Sequence, residues 1–143
     1  MIFQRETLFD VIEEAQPLLQ LHHAEMTPHP LVLSPRWDQY NEVERQGALV
    51  LLTARDEGKL VGYSLYFIGQ HRHFDSLKVA ENDLLYVAEP HRHKAAWFLR
   101  YAEKTLKTLG VGHISYHCGK NNLSAILERL GYADVQVMRG KLI

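Results

Sequence analysis

The sequence predicts an α/β fold, a mixed sheet with helices packed on it, in the element order β-α-α-β-β-β-α-β-α-β. Three observations carry that prediction. The β-rich runs ALVLLTAR and LVGYSLYFIG flank Asp56, Glu57, Gly58 and Lys59, a strong hairpin signal. The run KVAENDLLYV follows with strand-like alternation, placing Glu81, Asp83 and Leu85 on one face and Asn82, Leu84 and Tyr86 on the other. A basic turn containing Pro90 then leads to a helical stripe of Phe98, Ala102, Leu106 and Leu109, closed by Gly110.

The remaining elements fit around these. MIFQR is short and apolar enough for an edge strand. Thr7 and Asp10 look like a helix cap, and Leu8, Val11, Ile12, Ala15, Leu18 and Leu19 recur at helical spacing, with Pro17 expected to kink or divide the helix. Met26 to Leu33, with Pro28 and Pro30, reads as a loop. Ser34 as N-cap and Pro35 in the first turn open a second short helix that ends at Gly47. VGHISYH makes a fifth strand, NLSAILERLGY a short helix stopped by Gly131, and ADVQVMRGKLI a final strand.

Composition narrows the function classes. A chain of 143 residues fits one domain, 1–143, around a single core. A formal net charge of -1 gives no reason to expect nucleic-acid or membrane binding through bulk electrostatics. One cysteine, Cys118, rules out an internal disulfide and suits a reducing cytosol; the acidic N-terminal run MIFQRETLFDVIEEA does not resemble a signal peptide. The expected localisation is cytoplasmic. Nine histidines include the HxH pairs His71/His73 and His91/His93, but no third and fourth ligand in a metal-site pattern, so no metal is expected.

The most informative stretch is LLYVAEPHRHKAAWFLRYAEKTLKTLG, Leu84 to Gly110. Basic side chains normally favour the other end of a helix, so HRHK at a helix start is mildly unfavourable unless an anion is present. Unpaired N–H groups there make such a turn a natural seat for a pyrophosphate. A solvated basic helix start with no ligand is the alternative reading of the same residues.

The element order and this turn together resemble the GNAT superfamily of N-acetyltransferases. The family signature is Arg or Gln, two residues, Gly, one residue, then Gly or Ala; here Arg92, Ala95 and Trp97 occupy those positions. ILERLGY, Ile126 to Tyr132, is similar to the family's later LYEKLGF-like segment. The resemblance is strongest from Ala48 to Tyr132. The runs HHAE, PRWDQY and LLTARDEGKLVGY also resemble small members carried by phages and prophages.

That resemblance implies an acyl-CoA N-acyltransferase fold using acetyl-CoA as co-substrate. The backbone of Leu85, Tyr86 and Val87 would pair with pantetheine like an added strand. The N–H groups of His93, Lys94, Ala95, Ala96 and Trp97 would hold the diphosphate, with Arg92 and Lys94 adding charge. Asn121, beyond the fifth strand, joins the cofactor set. Glu81 or Asp83 would accept the ammonium proton, and His22 or Glu25, near the end of the first helix, would contact the acceptor. The acceptor is a primary amine of a small molecule or a protein.

Two departures from the family keep a second class open. Trp97 is bulky where the family uses Gly or Ala, and Leu127 stands where it often places a tyrosine that protonates the leaving thiolate. A non-catalytic CoA-binding or protein-interaction module on the same fold would explain both. Cys118 as a nucleophile is disfavoured, because adjacent His117 points to the opposite strand face. Trp37 and Tyr40 read as packing residues first and as acceptor-pocket residues second. An exposed ADVQVMRGKLI edge would allow a homodimer.

Overall fold

The computed structural model describes residues 1–26, 31–118, 122–136 and 138–143. Its elements are β1 (Ile2–Glu6), α1 (Leu8–Glu25), α2 (Trp37–Arg45), β2 (Leu49–Asp56), β3 (Lys59–Gln70), β4 (Lys78–Val87), α3 (Ala95–Thr108), β5 (His113–Ser115) and α4 (Asn122–Arg129), with a 3₁₀ turn over Glu89–Lys94. The five strands form one sheet in sequence order, antiparallel from β1 to β4 and parallel between β4 and β5. The hairpin between β2 and β3 turns through Glu57 and Gly58, at φ 49° and 82°, the left-handed pair that matches the twist of its strands.

Two apolar layers sandwich the sheet. On one face Leu49, Leu51, Tyr63, Leu65 and Tyr86 pack against Leu8, Val11, Ala15 and Leu19 of α1, with Trp37 and Tyr40 of α2 alongside. On the other, Val50, Leu52, Tyr66, Ala80 and Val87 pack against Phe98, Ala102 and Leu106 of α3. Burying each such side chain stabilises the fold by roughly 1.5–3 kcal/mol before chain entropy is counted.

Three expectations change. Pro17 does not divide α1, which runs unbroken from Leu8 to Glu25. Pro17 lies on the exposed side, where water can satisfy the carbonyl it leaves unpaired, while the buried stripe on the opposite side stays seated on the sheet. The second helix begins at Trp37 rather than beside Ser34, with Arg36 as its N-cap. The run ADVQVMRGKLI carries no strand among its described residues, and Val135, Met138 and Leu142 are exposed. Strand propensity needs a partner, and the neighbouring edge strand, β5, is only three residues long.

Side chains distant in sequence complete the frame. The N-cap of α1, Thr7, makes no capping bond to the backbone; instead Glu44 of α2 accepts the Leu8 N–H through both carboxylate oxygens, at 2.8 and 3.1 Å. Arg55 of β2 clamps Glu6 through Nε and Nη2 at 2.9 and 3.0 Å and reaches Glu14 of α1 through Nη1 at 3.0 Å. Glu14 also accepts the Leu60 N–H.

Candidate active site

The site begins with a fault in β4. Its ladder with β3 runs Tyr63↔Tyr86, Ser64↔Leu85, Leu65↔Leu84 and then jumps to Tyr66↔Asn82, so Asp83 is an extra residue, a β-bulge. The bulge resets the pleat and corrects the simple alternation expected from sequence. Glu81, paired with Phe67, shares a face with Leu84 and Tyr86; Asn82, paired with Tyr66, shares the opposite face with Leu85 and Val87. Asn82 secures the fault. Buried beside Ser64, it donates from Nδ2 to Ser64 Oγ at 3.1 Å and to the carbonyls of Leu65 and Leu84 at 3.1 and 3.0 Å.

At the same point the sheet forks. Strand β5 pairs only with Val79, Ala80 and Glu81, and no described strand takes up the same edge of β4 from Asn82 to Val87. The Ala88 N–H donates to Val61 O at 2.8 Å, so the alternation of an antiparallel ladder turns the backbone of Tyr86 toward β3 and those of Leu85 and Val87 toward the fork. Of the three residues predicted to pair with pantetheine, Leu85 and Val87 therefore present groups there, and Tyr86 does not. Gly62, opposite Val87, lets β3 lie close at this level, because a Cβ on it would stand 2.9 Å from the Tyr86 carbonyl.

The basic turn takes a tight form. The His91 N–H donates to Ala88 O and the Ala95 N–H to Arg92 O. Arg92 folds back on the protein: its Nε donates to Val87 O at 3.0 Å, its Nη2 pairs with Glu25, and its guanidinium lies 5.7 Å from the centre of the Tyr86 ring. Tyr86 O–H donates to the other Glu25 oxygen at 2.9 Å. Burial opposes ionisation of Glu25, but the bonds from Arg92 and Tyr86 outweigh it and hold its carboxyl below the ordinary range. His93 and Lys94 are exposed, Ala95 and Ala96 half-buried, and Trp97 is 67% exposed, so its indole stands outside the core.

The residues predicted for the acceptor side join this network. His22 is stacked on Tyr86 with ring centres 5.1 Å apart, and its Nδ1 lies 2.9 Å from Tyr63 Oη. Burial depresses its pKa below the ordinary imidazole value, with Glu25 opposing and His23 adding to that shift. Glu25 and Arg92, separated by 67 positions, thus link the end of α1 to the turn before α3.

Asp83 stands apart from this network. Exposed on the bulge, it accepts a hydrogen bond from Tyr40 O–H at 2.7 Å, while burial, followed by the carboxylate, pushes the Tyr40 phenol up. Glu81 is exposed two residues earlier. Leu84 and Tyr40 also line a cavity of about 290 Å³ between α1, α2 and the chain that joins them. Leu127 is buried at 5% exposure, which fixes it as a core residue. Asn121 lies outside the described residues. Cys118 is exposed and free.

Sequence reasoning missed three participants: Asn82, Tyr63, and Tyr40 as the partner of Asp83. Only Asn82 left a signal, an amide inside an otherwise strand-forming run.

The Acetyltransferase (GNAT) family profile matches residues 13–132. The chain belongs to that family. No curated protein matches the sequence. Among solved structures, it is similar to a ribosomal-protein-alanine N-acetyltransferase from Brucella melitensis biovar Abortus 2308, with 18% identity, TM-score 0.73 and 100% of each chain covered. It is also similar to glucosamine-6-phosphate N-acetyltransferase from Arabidopsis thaliana, with 15% identity, TM-score 0.72 and 99% of each chain covered. An aminoglycoside acetyltransferase from an uncultured soil metagenomic sample aligns at 14% identity and TM-score 0.73, covering 99% of this chain and 95% of its own. At these identities the likeness is one of fold.

Proposed function

We propose that the protein is a cytoplasmic, acetyl-CoA-dependent N-acetyltransferase that acetylates a primary amine by direct attack on the thioester. The observation that supports this best is the coincidence at Asp83 of a bulge, a forked sheet and an exposed carboxylate, with the backbone groups of Leu85 and the N–H of Val87 turned into the fork, the Val87 carbonyl being held by Arg92. Those groups suit the amides of pantetheine, which an extended edge binds as an added strand. Arg92 and Lys94 supply positive charge at the turn where a diphosphate would sit, with the N–H groups from His93 toward Trp97 beside them.

Acetyl-CoA supplies an acetyl thioester. A primary ammonium first loses one proton, the neutral amine then makes the C–N bond as the C–S bond breaks, and a second proton from nitrogen ends on the departing thiolate. Ammonium and thioester thus yield amide, thiol and the one proton lost at the start. Asp83 is the proposed acceptor of that proton, with Glu81 as the second candidate. Tyr40 O–H holds the Asp83 carboxylate in one orientation, leaving its other oxygen for the amine. His22 and Glu25, proposed for the acceptor side, hold Tyr86 by ring stacking and by a carboxylate that accepts a hydrogen bond from its hydroxyl. Within the family, we place the chain with the small phage-type members on its HHAE, PRWDQY and LLTARDEGKLVGY runs.

A second reading, a CoA-binding or interaction module without transfer, is favoured by Leu127 in the core and by the 3₁₀ bonds that occupy N–H groups of the turn. Calorimetry with acetyl-CoA, dephospho-CoA and the Arg92→Ala variant, followed by thiol release over an amine series, separates the two. Saturable acetyl-CoA binding, weakened about tenfold by Arg92→Ala, together with amine-dependent thiol release, is the expected result. Binding without thiol release above background would transfer the lead to the CoA-binding module; absence of binding at millimolar ligand would overturn the transferase and put the interaction module in the lead.

A further inference from the structure

The cavity beside Asp83 carries information about the acceptor. It is bounded by Leu19 and His23 of α1, Leu33 of the connecting chain, Trp37 and Tyr40 of α2, and Leu84 of β4. No Asp, Glu, Lys or Arg is among its described lining residues. A carboxylate adjoins this mostly apolar lining: that of Asp83, next in sequence to Leu84 and hydrogen-bonded to the hydroxyl of Tyr40 at 2.7 Å.

Charge and size then discriminate among amines. A polycation would place its further ammonium groups against leucine, valine and tryptophan, losing hydration without a partner. A phosphorylated amino sugar would need a guanidinium or ammonium in the cavity, and its hydroxyls would need more polar partners than Ser34, His23 and Tyr40 provide. A volume of about 290 Å³ lies near the lower end of small-molecule pockets, roughly 300–1,000 Å³. We infer that the acceptor is a small primary monoamine with an apolar body, an aromatic ring or a branched alkyl group, its ammonium directed to Asp83 and its body in the Leu19–Trp37–Leu84 cavity. This inference rests on the transferase reading for its chemistry but concerns a binding preference that can be measured without turnover.

The test is calorimetry on the full chain, with and without saturating CoA, using 2-phenylethylamine, 2-phenylethanol, ethanolamine and spermidine. These probes vary charge and apolar body separately. Phenylethylamine should bind at least about tenfold more tightly than each of the other three. In Asp83→Asn its advantage over phenylethanol should disappear. Ser34→Asp, an exposed change that leaves the core intact, should raise the affinity of spermidine relative to phenylethylamine. Ethanolamine or spermidine binding as tightly as phenylethylamine, or no saturable binding of any probe, would overturn the assignment. The two proposals fail separately: a chain that ranks the amines as expected but does not bind acetyl-CoA sinks only the transferase reading. One that binds acetyl-CoA without ranking the amines sinks only the acceptor class.

Discussion

Two arginines, each gripping a glutamate of α1, define opposite kinds of order in this protein. Arg55 holds Glu6 and Glu14 at side-chain exposures of 16%, 19% and 43%, tying β1, α1 and β2 into one unit. Arg92 holds Glu25 at exposures of 44% and 47%, at the lip of the candidate cofactor site. Water accounts for the difference. A pair withdrawn from solvent leaves a stranded charge when one member is removed, whereas a half-exposed pair exchanges its partner for water at little cost. The first arrangement suits a frame, and the second suits a latch that a stronger anion can open.

The largest separation between the two should appear in stability. Arg55→Ala should destabilise the fold by about 2–4 kcal/mol, since two carboxylates lose their counter-ion and Glu6 stays largely buried. Arg92→Ala should change stability by no more than about 1 kcal/mol. Urea unfolding of both variants measures this directly, and equal losses would erase the distinction between frame and latch.

Chemistry comes next. Asp83→Asn should lower kcat/KM for the best amine by at least about a hundredfold while leaving acetyl-CoA affinity unchanged, if its carboxylate takes the proton. A smaller effect shared equally with Glu81→Gln would move the proton acceptor elsewhere.

A finer test concerns the latch itself. Glu25→Gln removes the carboxylate that competes for Arg92 and should tighten acetyl-CoA binding by up to about fivefold, consistent with the ~1 kcal/mol of an exposed pair. Weaker binding in Glu25→Gln would mean that Glu25 positions Arg92 for the cofactor instead of withholding it.

The smallest effect is a slope with pH. His22 has a folded pKa below its unfolded value of about 6.5, so in that window the unfolded chain binds more protons and stability declines as pH falls through 6.5 toward the folded pKa. Glu6, Glu14 and Glu25, all held below 4.5, add a separate loss as pH falls below 4.5 through their folded pKa values. In His22→Gln the upper leg of a stability-against-pH curve should flatten while the lower leg persists; an unchanged upper leg would assign it to another group.

What sequence determined by itself was the kind and order of elements from β1 to α4. Hydrophobic period is a local property, and the strand runs 49–56, 59–70 and 78–87 and the α3 stripe each state it within a few residues. The turn at Arg92 and the carboxylates at 81 and 83 were legible for the same reason, as residue types in a short span. Tertiary structure alone decided the rest. The bulge at Asp83 depends on how β3 and β4 slide past each other, and it reverses which neighbours share a face with Glu81. The Glu44 cap on α1 and the Glu25–Arg92 latch join residues 36 and 67 positions apart. Pro17 survives in α1 because its position on the exposed side puts the unpaired carbonyl in water. Each of these outcomes is set by what lies across a gap in space, and no window along the chain contains both sides of that gap.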